Sequence, residues 1–209
     1  YLTVCVAKLR KAGYTKPIYV FILTSTPESD GMDLATYDVA LQLGSSETMK
    51  VEHEETLERA KRGKAKVPIT AAELEKRGIK ALMASMWSGA EQPRSTKDYE
   101  ETYIHSKVAI VDDAAFTVGS ANLNVRSMAL DSELNLLSQA MDVTFDLRQK
   151  LFKQCTNDAG PAQFRDMGKT FGGWLTLMEK NTEAMANGWP LTGQIAKFHV
   201  DRQPGPPVI

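Results

Sequence analysis

The sequence predicts an α/β fold, and three observations carry that prediction. A helix-period stretch closes on a glycine and leads within a few residues into an apolar run of strand length. The succession of helix, turn and apolar run recurs between residues 70 and 87. The composition, 43% hydrophobic against 24% charged over 209 residues, supplies one sizeable core and excludes disorder, collagen and a disulfide scaffold.

Leu2 to Ala12 has apolar residues at 2, 4, 5, 6 and 9, then Lys8, Arg10 and Lys11, with Gly13 after them, which predicts a helix ended by glycine. Pro17 precedes Ile-Tyr-Val-Phe-Ile-Leu, a buried strand over 18–23. Residues 24–32 are turn chemistry, and 34–62 read as helical with a break at Gly44-Ser45-Ser46. The basic cluster from Lys61 to Lys66 is a solvated helix end that complements the dipole. Thr70 followed by Glu73 predicts a capped short helix to Arg77, which Gly78 closes before a strand over Ile79 to Trp87.

Residues 88–100 are polar and aperiodic, either a functional lid or a mobile connection. Three strands follow closely, Tyr103 to Val111, Ala115 to Val118 and Glu133 to Leu137. Amphipathic helices come next, over Val143 to Phe152 and Phe164 to Met185, separated by 157–161. The last ten residues, with Pro204, Pro206 and Pro207, read as an extended tail. The chain therefore divides into 1–155 and a helical and Pro-rich extension over 156–209.

Twenty-five Lys plus Arg against 26 Asp plus Glu leave a net charge of −1, which counts against a nucleic-acid partner. The longest apolar run, 18–23, is far short of the roughly 20 residues that span a bilayer. The opening at Tyr1, with no initiator Met and no signal-peptide progression, points to a fragment or a processed product. Cys5 and Cys155 are too few and too distant for a metal-ligand pair and allow at most one disulfide.

The chemistry concentrates between Tyr103 and Leu137. In a strand, positions 105 and 107 share a face, so His105 and Lys107 project together. A turn at Asp112-Asp113 and a returning strand bring Gly119-Ser120-Ala121-Asn122 beside them. Gly119 allows close backbone approach, while Ser120 and Asn122 add neutral donors. Together these groups suit a phosphate: Lys107 as a point charge, Ser120 and Asn122 as donors, and His105 as the group that attacks phosphorus or moves a proton. Glu133 is positioned to hold one ring nitrogen of His105. Each part alone reads as structure: a histidine satisfied in a strand, a solvated lysine, a glycine turn. His53 in a Glu-rich stretch and His199 near the tail read as surface residues.

The ordered set His105-x-Lys107-x4-Asp112, Gly119-Ser120-x-Asn122 and Glu133 resembles the phospholipase D superfamily. The resemblance runs from about Ile79 to Phe152, including Leu147-Arg148-x-x-Leu151-Phe152, and it finds no counterpart in 160–209. It implies an α-β-α sandwich with a mixed central sheet, carrying one half of an active site built from two such motifs. It also implies that one histidine attacks phosphorus while the other protonates the leaving alcohol and then activates water or an alcohol, with no cofactor and no metal. Lys107 and Asn122 would bind the phosphate, Glu133 would orient His105, and Asp112 and Gly119 would be structural. His105 would be the acid/base, because the motif resembles the C-terminal one.

One motif is half a site. The second half is expected upstream in the same polypeptide, a start in mid-helix favouring this over pairing with another copy. The run from Gly119 to Glu133 is most similar to bacterial phospholipases, including antibacterial lipase effectors delivered by type VI secretion. The substrate expected is therefore a membrane glycerophospholipid, split to phosphatidic acid and headgroup. A secreted or periplasm-delivered protein acting at a membrane surface follows. A homodimeric nuclease, a cardiolipin synthase-like phosphatidyltransferase and a non-catalytic binding module are the alternatives. The loop 88–100, Gly172-Gly173-Trp174 and Gly188-Trp189-Pro190 are candidates for interfacial contact, with Trp as core filler the preferred reading.

Overall fold

A computed structural model describes residues 2–27, 32–122 and 125–201. The class is α/β with a mixed sheet, and two compact units divide the chain: 1–85 with 196–209, and 86–195. The expected boundary at 155/156 falls at the end of a helix inside the second unit, whereas the partition runs through a strand.

In the first unit, α1 (Leu2–Lys11) ends at Gly13, whose φ of +88° is the left-handed region glycine enters freely. Strand β1 (Ile18–Leu23) pairs in parallel with the first six residues of β2 (Ile79–Gly89), Ile18 opposite Ile79 and Leu23 opposite Ala84. A parallel pair needs a long crossover. Here it is helical: α2 (Met32–Gln42), a 3₁₀ turn at Ser46–Thr48, α3 (Lys50–Lys61) and α4 (Ala71–Lys76). Thr70 and Glu73 form the expected capping box, the Thr70 amide donating to Glu73 at 2.8 Å. Tyr37, Ala40, Leu43, Met49, Met83, Phe198 and Val200 form one buried cluster, and Val6, Leu74 and Ile79 another. Of the expected tail, Val200 is buried and bridges Met49, while 202–209 lie outside the described residues.

In the second unit, Trp87–Gly89 at the end of β2 pairs antiparallel with β3 (Tyr99–Glu101). The stretch 88–100 is thus more ordered than its lack of period predicts. Ser95 and Asp98 form a second capping box over a 3₁₀ turn, and the Arg94 and Ser95 amides hold the Asp98 carboxyl below its usual range. Such local side chain–backbone bonds have no hydrophobic period to betray them.

Strands β4 (Lys107–Val111), β5 (Ala115–Gly119) and β6 (Asn135–Ser138) make a separate antiparallel sheet, so the strands of the described residues fall into two sheets, one of them mixed. Between β5 and β6 lies the short α5 (Val125–Ala129). Of the long helices α6 (Met141–Thr156) and α7 (Met167–Asn187), α7 buries Phe171, Trp174, Leu177, Met178 and Ala184. Trp174 is 1% exposed, its ring 4.9 Å from that of Phe152, so it is core filler. Trp189 is exposed. Strand β7 (Ile195–Lys197) pairs with β2. Both cysteines are free, and burial pushes the Cys155 thiol up to about 11.

Candidate active site

Strand register gathers the site. Lys107, the first residue of β4, pairs with Gly119, the last of β5, and Gly119 pairs with Asn135, the first of β6. One end of the sheet therefore carries Lys107, the segment 120–122 and the segment 133–135. Gly119 is required there: a Cβ would stand 2.6 Å from the Asn135 Cα, in collision with that residue and with the Leu134 carbonyl. Three bonds shape the chain beyond it. The Ser120 amide donates to the Leu134 carbonyl at 3.1 Å, the Leu134 amide to Ser120 Oγ at 3.0 Å, and the Ala121 amide to Asn135 Oδ1 at 3.2 Å.

His105 sits differently from the expectation. The strand predicted from Tyr103 begins only at Lys107, because β5 ends opposite that residue and nothing continues the ladder. Strand alternation thus does not set the direction of His105. Instead Lys107 Nζ donates to the His105 carbonyl at 2.6 Å, tying the two residues together through the backbone. The exposed imidazole stacks on Tyr103, ring centroids 6.0 Å apart. It is free to meet a substrate.

The Ser120 and Ser127 hydroxyls, with smaller attractions to Lys107 and Arg126, draw the Glu133 carboxyl below the usual carboxylate range. Among the described residues no hydrogen bond joins Glu133 to the His105 ring, and His105 is not among the groups that shift its carboxyl. Ser120, expected as a phosphate donor, accepts the Leu134 amide on its hydroxyl oxygen. Asn122 is exposed, with Nδ2 3.5 Å from Ser127 Oγ.

Asp112 and Asp113 stand at φ of 51° and 55° in the β4–β5 turn, the two left-handed positions of a mirror-image hairpin turn. Asp112 is exposed, and the ion pair belongs to its neighbour: Asp113 binds Arg148 through two bonds, Arg148 Nη2 donating to Oδ2 at 2.8 Å. Arg148 is buried, lies over the rings of Phe145 and Phe152 and donates to the Phe164 carbonyl at 3.1 Å. Sequence reasoning missed Asp113, Ser127 and the function of Arg148. The arginine had a signal, since it lies on the buried i, i+4 line through Thr144 and Phe152 of α6.

This end of the sheet can bind an anion at Lys107 and Asn122 and offer an accessible imidazole beside it, the equipment for acid–base work on a phosphate ester. The family of domains described as "Cardiolipin synthase, PLD-like domain" matches residues 20–155, which include every one of these groups. Cardiolipin synthase 1 of Staphylococcus epidermidis is 38% identical over 55 residues, 26% of this chain and 11% of that protein. Cardiolipin synthase 1 of Staphylococcus aureus is 40% identical over 50 residues, 24% of this chain and 10% of that protein. Phospholipase D alpha 1 of Vigna unguiculata is 46% identical over 55 residues, 22% of this chain and 7% of that protein. The match thus spans about a tenth or less of these curated relatives. With more than half of the chain covered by the family match, the chain belongs to the phospholipase D-like domains.

Proposed function

We propose that this chain supplies the acid/base half of a two-motif site that hydrolyses membrane glycerophospholipids to phosphatidic acid and a free headgroup. The observation that carries the reading is the strand register, which sets Lys107 and the Ser120–Asn122 segment at one open end of the sheet, next to His105. Lys107 and Asn122 bind the non-bridging phosphate oxygens. A histidine of the other half attacks phosphorus, the bond from phosphorus to the headgroup oxygen breaks, and His105 gives that oxygen its proton. Neutral His105 then takes a proton from water, whose oxygen displaces the nucleophilic histidine from phosphorus. The second half is the upstream part of the same polypeptide, with a second copy of the chain as the other arrangement.

The reading extends to a bacterial protein delivered to the periplasm, as a type VI secretion effector, that works at a membrane surface. A net charge of −1 supports lipid over nucleic acid as the phosphodiester. A second reading, phosphatidyl transfer to an alcohol, is favoured by the cardiolipin synthases among the relatives; there the acceptor alcohol replaces water in the last step.

The test is headgroup release by the full-length protein from vesicles of phosphatidylethanolamine and phosphatidylglycerol, with glycerol added as an acceptor. Release that His105→Ala abolishes is the expected result. Products carrying glycerol in place of the headgroup establish transfer. Cleavage of single-stranded DNA with no headgroup release overturns the lipid reading.

A further inference from the structure

Charge is segregated at one face of the first unit. Residues 1–27 hold Lys8, Arg10, Lys11 and Lys16 and neither Asp nor Glu, in a chain whose net charge is −1. The fold adds further cations to these four. Val6 of α1 packs with Leu74 of α4 and Ile79 of β2, which sets α1 beside the end of α4, where Lys76 and Arg77 stand. Arg10 fastens the arrangement. Its Nη1 donates to the Tyr14 and Lys16 carbonyls at 2.6 and 2.7 Å, and its Nη2 to the Gly78 carbonyl at 3.3 Å. The open cleft between the two helices is lined by Val4, Ala7 and Arg10 from α1 and by Lys76, Arg77 and Gly78 across from them.

Lys8, Lys11, Lys16, Lys76 and Arg77 are exposed, and none of them forms an ion pair among the described residues. The acids of α4 are engaged elsewhere: Glu73 accepts from the Thr70 amide and hydroxyl at 2.8 and 3.1 Å, and Glu75 pairs with Lys80 at 2.6 Å. Over residues 1–27 and 70–80 seven cations thus face two carboxylates, and such like charges repel one another until an anionic partner relieves them. Apolar side chains stand among the cations. Val4 shares a face of α1 with Ala7, Lys8 and Lys11, and Val4 and Tyr14 are 55% and 39% exposed. A nucleic-acid backbone would meet only the charges; a lipid interface takes both the charges and the apolar groups.

We propose that this face, α1 with Lys16, Lys76 and Arg77, docks on an anionic lipid bilayer, its cations on the headgroup phosphates and Val4 and Tyr14 at the acyl boundary. Docking goes beyond the phosphodiesterase reading above, since it requires no cleavage.

The test is sedimentation of the full-length protein with vesicles of phosphatidylcholine, with and without phosphatidylglycerol. The protein should bind the anionic vesicles alone, and more weakly as salt is raised. Each Lys or Arg near an anionic surface contributes about fivefold in affinity, so Lys8→Ala, Lys11→Ala and Arg77→Ala combined should weaken binding about a hundredfold. Lys8→Arg, Lys11→Arg and Arg77→Lys combined should bind as the wild type does. Hydrolysis of a monomeric short-chain phospholipid, which needs no docking, should be unchanged in the alanine variant. An alanine variant that binds as tightly as the wild type, or that loses hydrolysis of the monomer, overturns the proposal. So does a wild type that binds neither kind of vesicle, binds both equally, or prefers single-stranded DNA to them. If the alanine variant does not fold, the wild type decides: binding that salt leaves unchanged overturns the proposal. A wild type that binds the anionic vesicles and releases no headgroup from any phospholipid sinks the phosphodiesterase reading alone.

Discussion

The two ends of the β4–β5–β6 sheet are built on opposite principles. At the hairpin end, Asp113 meets a guanidinium that is 9% exposed, held by two bonds and covered by Phe145 and Phe152. At the other end, His105, Ser120 and Asn122 are exposed, and the carboxylate of Glu133 is held by neutral hydroxyls. A buried charge pair costs a great deal to break from one side, whereas exposed polar groups cost little to change. The fold thus anchors the hairpin at one end and leaves open the end that carries the candidate site. Only the length of β4 separates the two, so a rigid tip holds Lys107 in register with Gly119 without shielding it.

The largest effect should follow from His105→Ala. General acid–base catalysis is worth about 10²–10⁴-fold, and turnover on phospholipid should fall by that much or more. Because the ring is exposed, the thermal midpoint should stay close to that of the wild type. A His105→Ala protein that is inactive and also markedly destabilised would show that the reactive end carries part of the anchoring, and the contrast between the ends would fail.

Arg148→Ala tests the other side. It takes both donors from Asp113, whose side chain is a third exposed, and removes the donor to Phe164; loss of one partner of a fully buried pair costs about 3–5 kcal/mol, and the solvent access of Asp113 puts this pair at or below the lower end. Urea unfolding should show that loss, while turnover below the new transition should change little. Asp113→Asn, which keeps the shape and the hydrogen-bonding atoms, should cost less than Arg148→Ala. Turnover lost in a folded Arg148→Ala protein would mean that the hairpin end sets catalytic geometry as well as stability.

This contrast was only partly legible in the sequence. Periodicity located β1 at 18–23 and the capping box at Thr70–Glu73, because apolar spacing and cap chemistry are written within a few neighbouring residues. The ordered motif likewise identified the residues at the open end. The link between Asp113 and Arg148 spans 35 positions and is made by tertiary packing; nothing local distinguishes Asp113 from Asp112 as its partner. The start of β4 failed for a related reason. Tyr103 to Val111 has the composition of one strand, but a ladder needs an opposite residue, and β5 offers none beyond Gly119. Ser127 was unreadable because a serine in a short helix has no signature of the amide it meets.

Gly119→Ala should have a smaller effect at the open end than Arg148→Ala has at the closed one. The added methyl meets Asn135 and the Leu134 carbonyl, and overpacking of this kind costs about 1–3 kcal/mol. Its distinctive mark is that activity and stability fall together, since pushing β6 from β5 also moves Glu133 and the Ser120 bonds. A stable protein with lost activity would show that the strands yield and only the site geometry suffers.

The smallest effect is the pH dependence that Glu133 adds to stability. Its carboxyl, drawn below its ordinary value of 4.5 by the Ser120 and Ser127 hydroxyls, is more acidic in the folded chain than in the unfolded one. Below that ordinary value the unfolded state therefore binds the proton first, and linkage makes the contribution present above it and lost as pH falls through the folded value. Glu133→Gln has no such proton to bind. The stability difference between wild type and Glu133→Gln should be constant near neutrality and shrink progressively below about pH 4.5. Solvent exposure keeps the effect small. Urea midpoints of the two proteins measured across that range decide it: curves that stay parallel into acid would mean that the hydroxyls do not hold Glu133, and the open end would then lack even the neutral clasp that distinguishes it from the charged one.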